Sequence, residues 1–306
     1  MEDYPKTVLE FQKRFATEEA CIEYLEQIRW PDGFRCPRCG HGHAWVMKRG
    51  LHWCCRCDYQ VSVTAGTIFQ DTRKPLQLWF NAIWHVVSQK NGVSARGLQR
   101  VLGMKRYETV WIWLHKLRTA MVRPGRDRLS GTVEVDETYI GGKKPGKRGR
   151  GAAGKALVLI AVEDKGNCLG RIRLRRVADA SAASLTPAVE ECVQPGSVVR
   201  TDGWSGYVEL ASENYEHNVV KEEAHIGDSL LPLAHRVAAL LKSWLRGTHQ
   251  GAIRPSHLDY YLDEFTFRFN RRTSRSRGKL FYRLIEQAVT VDPVTGQDIR
   301  GGRPDS

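Results

Sequence analysis

Hydrophobic positions follow a helical period in the first part of the chain and a strand period from about residue 131 onward. Residues 5–30 form an amphipathic stretch that predicts helix, and residues 33–70 break the pattern with turn formers and cysteines. Phe80, Ile83, Trp84 and Val87 then fall at i, i+3, i+4 and i+7, one face of a helix. Ser94 is placed to cap a second helix carrying Leu98, Val101 and Leu102, and Gly103 supplies a turn. A third helix puts Val110, Trp113, Leu114, Leu117 and Met121 on one stripe.

Strand patterns begin with Thr132–Ile140, where Val133 and Val135 share one face and Glu134 and Asp136 the other. Leu157–Val162 reads as a fully buried strand, Gly170–Val177 as a half-exposed one, and Ala178–Cys192 as a helix. Ser197–Thr201 predicts a further strand with Asp202-Gly203 at its end. Val237, Leu240, Leu241, Trp244 and Leu245 make the apolar stripe of a helix packed on the core. His235 and Lys242 lie two turns apart on one line of that helix, away from the centre of the stripe.

The expected organisation is therefore a cysteine-rich module over 1–70, a helical region over 71–128, an α/β domain over 129–291 and a disordered, Gly-rich polar tail over 292–306. Arg123 to Ser130 reads as the linker before the α/β domain. The longest purely apolar stretch, Ala156–Val162, is far shorter than the ~20 residues of a membrane helix. The first residues lack a basic segment followed by an apolar one, so no signal peptide is visible. A cytoplasmic, nucleoid-associated protein is the expectation.

Charge narrows the partner. The chain has 47 Lys plus Arg against 34 Asp plus Glu, a net charge of +13 that attracts polyanions. The excess is clustered. Residues 143–155 hold Lys143, Lys144, Lys147, Arg148, Arg150 and Lys155 without an acid, and residues 268–279 hold Arg268, Arg271, Arg272, Arg275, Arg277 and Lys279 without one. Such runs favour phosphate contacts over a mere solubility charge.

Eight cysteines in a chain of this type are more often metal ligands or buried thiols than disulfides. Cys36 and Cys39 form one CxxC pair, and Cys54 with Cys57 forms another after fourteen intervening residues. Two such knuckles complete a closed tetrahedral site for structural Zn²⁺ and leave no position open for catalysis. Cys55 is the spare and should point away; His41, His43 and His52 are expected at the surface. Tyr139 and Trp204 are expected to be packing residues.

The three predicted helices after the cysteines have the order of a helix-turn-helix, with Lys105, Arg106, Lys116 and Arg118 decorating the third. A plain three-helix packing unit is the alternative. Asp136 and Asp202, at the ends of neighbouring strands, could bridge one or two Mg²⁺ ions for phosphodiester cleavage. A strand-end Asp can equally be a turn former.

The ordered motifs RCPRCG, WCCRCDYQVSVTAGTIF, VDETYIGGKKPGKRGRG, RTDGWSGY and HRVAALLKSWLRGTHQGAIRPSHLDYYLDEFTFRFNRR resemble those of insertion-sequence transposases of the zinc-ribbon, ISXO-like DDE group, across roughly residues 10–290. The resemblance implies a catalytic domain of ribonuclease H-like fold, a mixed sheet flanked by helices. It implies that Asp136 and Asp202 are catalytic carboxylates and that the third position, seven residues before the helical Lys242, is His235. An imidazole there brings no negative charge, so Mn²⁺ should be accepted beside Mg²⁺. Glu222, Glu223 and Asp228 are nearby acids that read as loop charges. The implied activity is metal-dependent cleavage and strand transfer of the ends of an insertion sequence. The partners would be its terminal inverted repeats and target DNA, with a homo-oligomer assembled on them. Two other readings stand beside it: a catalytically inactive DNA-binding regulator with the same modules, and a zinc-ribbon RNA-binding protein.

Overall fold

The computed structural model describes residues 2–47, 50–123, 125–141, 155–166, 168–220, 230–251 and 253–303. The chain forms two compact units, one of residues up to Arg123 together with Ser274–Ile299, the other spanning the chain to Thr273 with the residues after Ile299.

The first unit opens with α1 (Val8–Arg14) and α2 (Glu18–Arg29) instead of one helix over 5–30. The break follows from two threonine caps: Thr7 Oγ1 accepts from the Glu10 amide at 3.1 Å and Thr17 Oγ1 from the Ala20 amide at 3.2 Å. Strands β1 (Ala44–Val46), β2 (Leu51–Cys54) and β3 (Gln60–Ser62) make a small antiparallel sheet. Helices α3 (Leu76–Ser88), α4 (Ala95–Val101) and α5 (Tyr107–Ala120) follow. Ser94 caps α4 as its sequence suggests, through the Gly97 amide at 3.0 Å. Helix α3 begins after Pro75 and has no cap of its own; Glu18 supplies it, accepting from the Leu76 and Gln77 amides at 2.7 and 3.0 Å.

The second unit is built on five strands: β4 (Thr132–Ile140), β5 (Ala156–Asp164), β6 (Leu169–Val177), β7 (Val198–Thr201) and β8 (Glu216–Val219). Their order is β6-β5-β4-β7-β8, with β4, β5 and β6 antiparallel and β7 and β8 parallel to β4. Helix α6 (Ala182–Cys192) lies between β6 and β7 in the chain, and α7 (Pro232–His249) and α8 (Leu258–Asn270) follow β8. Val133 and Val135 pack with Leu185 and Val189 of α6, while Val158, Ile160 and Ile172 pack with Val237, Leu241 and Phe265 of α7 and α8. The mixed sheet is thus covered by helices on both faces.

Helix α9 (Arg277–Ala288) does not belong to this domain, which was expected to run to residue 291; it packs in the first unit. Phe281, fully buried, is ringed by Phe11, Phe15, Tyr24, Phe80 and Trp84 with centroids 5.3–6.2 Å away. Gly278 lets α9 approach the N-terminal segment, since a Cβ there would sit 1.6 Å from the Pro5 carbonyl oxygen. Nor is the stretch after residue 292 a structureless tail. It holds α10 (Gly296–Gly301) with Ile299 fully buried, and Arg303 pairs with Asp263 at 2.7 Å. Among the described residues no helix is long and apolar enough to cross a membrane.

Candidate functional site

Turns at Gly40 and Asp58, whose amides bond back to the Cys36 and Cys54 carbonyls, bring the two CxxC pairs together. Cys36 Sγ lies 3.6 Å from Cys57 Sγ and Cys39 Sγ 3.5 Å from Cys54 Sγ, and all four sulfurs fall within 4.8 Å of one another. A Zn–S bond of ~2.3 Å gives tetrahedral S···S edges of ~3.8 Å, so the set fits a closed zinc site. Cys55 is exposed, outside the set. His52 is buried rather than superficial: it stacks on Phe34 and sits 3.5 Å from Glu26.

In the second unit the strand register explains how residues far apart in sequence meet. Thr132 pairs with Val198 and Glu134 with Arg200, so β7 runs parallel beside β4 and ends next to Asp202, whose charge acts on Asp136. Asp136 is pushed up to about 6, chiefly by burial and then by the charges of Glu137 and Asp202, against the opposing charge of His235. The His235 Nε2 lies 3.3 Å from Asp136 Oδ2. Asp202 is exposed and accepts from the Trp204 amide at 3.0 Å. Lys242, half-buried, has its pKa lowered first by burial and then by Arg246, with Asp136 raising it and Lys155 lowering it further. Asp136, Asp202, His235 and Lys242 therefore share one electrostatic neighbourhood. Among the described residues the cysteine tetrad is still the one cluster of three or more ligand groups within metal-binding reach.

Sequence reasoning missed two supporting residues. Glu134, nearly fully buried, accepts through Oε2 from the Leu233 and Ala234 amides at 2.8 and 2.9 Å. It caps α7, whose Pro232 start has no side-chain cap, and so fixes the turn that carries His235. The signal was there: a carboxylate two residues from Asp136 on a core-facing side of β4. Glu137 accepts from the buried Tyr207 hydroxyl at 2.7 Å, and burial followed by the Glu137 charge pushes that phenol well above its ordinary value.

Residues 128–270 match the ISXO2-like transposase domain, and residues 16–60 match the transposase zinc-ribbon domain. A protein in the transposable element ISH50 of Halobacterium salinarum is 28% identical over 291 residues, covering 87% of this chain and 95% of the relative. The chain belongs to the ISXO2-like transposases. The domain match ends at residue 270, just before the chain returns to the first unit at Ser274.

Several basic residues of this transposase are not where their sequence suggests. Arg118 is buried and Lys116 donates to the Ile68 carbonyl at 3.3 Å, so neither decorates the outside of α5; Lys105 and Arg106 are exposed at its start. Val101, expected on the packed face of α4, is exposed. In the 268–279 run, Arg268 pairs with buried Glu264, while Arg271 and Arg272 lie over the rings of Phe267 and Phe269. Arg272 also donates to the Leu169 and Gly170 carbonyls. Of the 143–155 run only Lys155 is among the described residues, and Glu222, Glu223 and Asp228 lie outside them.

Proposed function

We propose that this chain is an active transposase that cuts the ends of an insertion sequence and joins them to target DNA. The observation that carries the reading is that the parallel β4–β7 pairing leads to Asp202, whose charge reaches Asp136, a carboxyl pushed up to about 6 chiefly by burial. A buried carboxylate beside a second one and unfavourably charged is a donor set that a divalent cation relieves. Mg²⁺ or Mn²⁺ bound there supplies water activation at neutral pH and stabilises the leaving oxygen of a phosphodiester. Asp136 and Asp202 would hold the cation, and the imidazole of His235 would offer a third ligand that makes Mn²⁺ acceptable. Lys242 neutralises a phosphate of the strand being cut. The strand order β6-β5-β4-β7-β8, three antiparallel then two parallel, supports a ribonuclease H-like catalytic domain. The exposed Lys105 and Arg106 support DNA contact by the α4–α5 segment as a helix-turn-helix. The pairing of two DNA ends calls for a homo-oligomer on DNA.

His235 favours a second reading, a regulator that binds element ends without cutting them, because it places an imidazole, not an acid, beside Asp136. One experiment separates the two. Purified protein is given DNA from inverted repeats flanking its gene, with Mg²⁺ or Mn²⁺. Wild type nicks the end, and Asp136→Ala and Asp202→Ala abolish nicking while still binding it. Undiminished cutting by Asp136→Ala refutes the site; no cutting by wild type in either metal favours the regulator.

A further inference from the structure

A cleft of about 630 Å³ opens next to the Asp202 loop, within the ~300–1,000 Å³ of small-ligand sites. Its walls include Tyr139, Leu157 and Trp204, and its polar lining includes Lys155, Asp179 and Ser181. We propose that this cleft receives one unpaired nucleobase of the DNA strand next to the phosphate that is cut, with Tyr139 and Trp204 as stacking surfaces and Lys155 on the adjoining phosphate. The inference rests on the transposase reading above and names a substrate contact for it.

Three features support it. The Trp204 ring is held in place: its Nε1 donates to the Ala180 carbonyl at 2.7 Å and its amide to Asp202 Oδ1 at 3.0 Å. Gly206 permits that wall, since a Cβ there would lie 2.5 Å from the Ala180 oxygen and 2.9 Å from Trp204 Nε1. A fixed aromatic plane tied to the Asp202 carboxylate is a platform at a set position from the candidate cutting site. Tyr139 pairs with Leu157 of β5, and both line the cleft. Lys155 acts on Lys242, which also senses Asp136, so the cleft and the carboxylates lie in one field.

The chemistry selects the ligand. Aromatic walls favour a planar ring, the lysine favours an attached anion, and Asp179 with Ser181 offers hydrogen-bonding groups at the edge. A nucleotide combines all three. Stacking of a base on an aromatic side chain is worth ~1–3 kcal/mol and tolerates any base. A base within a duplex has both faces covered by its neighbours, so it must leave the stack to enter.

The test uses full-length protein and end DNA carrying 5-iodouracil at successive positions around the cut, each either paired or opposite a gap. After irradiation, cross-linked peptides are mapped by mass spectrometry, and cutting is scored on the same DNA. The expected result is cross-linking to Tyr139 or Trp204 from an unpaired position flanking the cut. In parallel, Tyr139→Ala lowers the preference for gapped over fully paired DNA by ~5- to 150-fold, and Tyr139→Phe keeps it. Cross-links confined to other segments, or an unchanged preference in a folded Tyr139→Ala protein, overturn the proposal. If that variant does not fold, the wild-type cross-links decide. Cutting without cross-links in the cleft removes this inference and leaves the transposase reading; cross-links there without cutting in either metal do the reverse.

Discussion

His235 Nε2 lies 3.3 Å from Asp136 Oδ2, so an imidazole from α7 stands against the half-buried carboxylate of β4. The carboxyl is nonetheless pushed up to about 6, because burial and the neighbouring carboxylates outweigh the imidazole. A carboxyl whose value is raised on folding favours the fold while protonated. That contribution is complete below its unfolded value of about 3.8 and is lost as pH rises through about 6. Metal-free Asp136→Asn should therefore gain stability over wild type across that window, by up to ~3 kcal/mol, with the gain shrinking when Mg²⁺ is added. Urea melts at several pH values check this. A difference that is constant with pH would count against it.

Glu134 predicts a graded pair of variants. Glu134→Ala leaves the Leu233 and Ala234 amides without their acceptor inside the domain and should cost about 2–4 kcal/mol. Glu134→Gln keeps a carbonyl oxygen in the same place and should lose about half as much. Both are read from denaturant midpoints. Equal losses in the two variants would show that the carboxylate does not act as the helix cap.

Zinc removal should act on the first unit. Purified protein should carry one Zn²⁺ per chain, and Cys54→Ser should lose it together with the protease resistance of residues 33–70, while Cys55→Ser, whose sulfur is exposed, should lose neither. Elemental analysis and limited digestion are the measurements. A Cys54→Ser protein that keeps full zinc would contradict the ligand set.

Phe281→Ala should destabilise the N-terminal helices, although the residue is distant from them in sequence. Removing a fully buried ring from among five aromatic neighbours costs about 3–5 kcal/mol. Hydrogen exchange should rise in α1, α2 and α3. Protection lost only around β4–β8 would place α9 in the other unit.

Local patterns were legible and distant partnerships were not. Alternation along Thr132–Ile140 gave the two faces of β4 correctly, and the stripe of Val237, Leu240, Leu241, Trp244 and Leu245 gave the packed side of α7 except at Leu240, which is exposed. The double CxxC spacing gave the sulfur cluster. Periodicity has no term for which helix a distant carboxylate caps, so Glu18 on α3 and Glu134 on α7 went unseen. It also counts every arginine as a surface charge. Arg118 is buried beside His115, and Arg271 and Arg272 lie over phenylalanine rings, because a guanidinium packs on apolar surface more readily than its charge suggests. The meeting of Asp136 with Asp202 needed the β4–β7 register, which a single strand's pattern does not contain.

The return of α9 to the first unit ties completion of that unit's core to a segment made after the 128–270 domain. As the chain leaves the ribosome, the rings of Phe11, Phe15, Tyr24, Phe80 and Trp84 wait for Phe281, and the whole 128–270 domain emerges in the interval. A product truncated before residue 274 would carry the carboxylates yet leave those rings facing water, exposed to proteases and chaperones. An intact first unit therefore requires a chain that extends past the 128–270 domain.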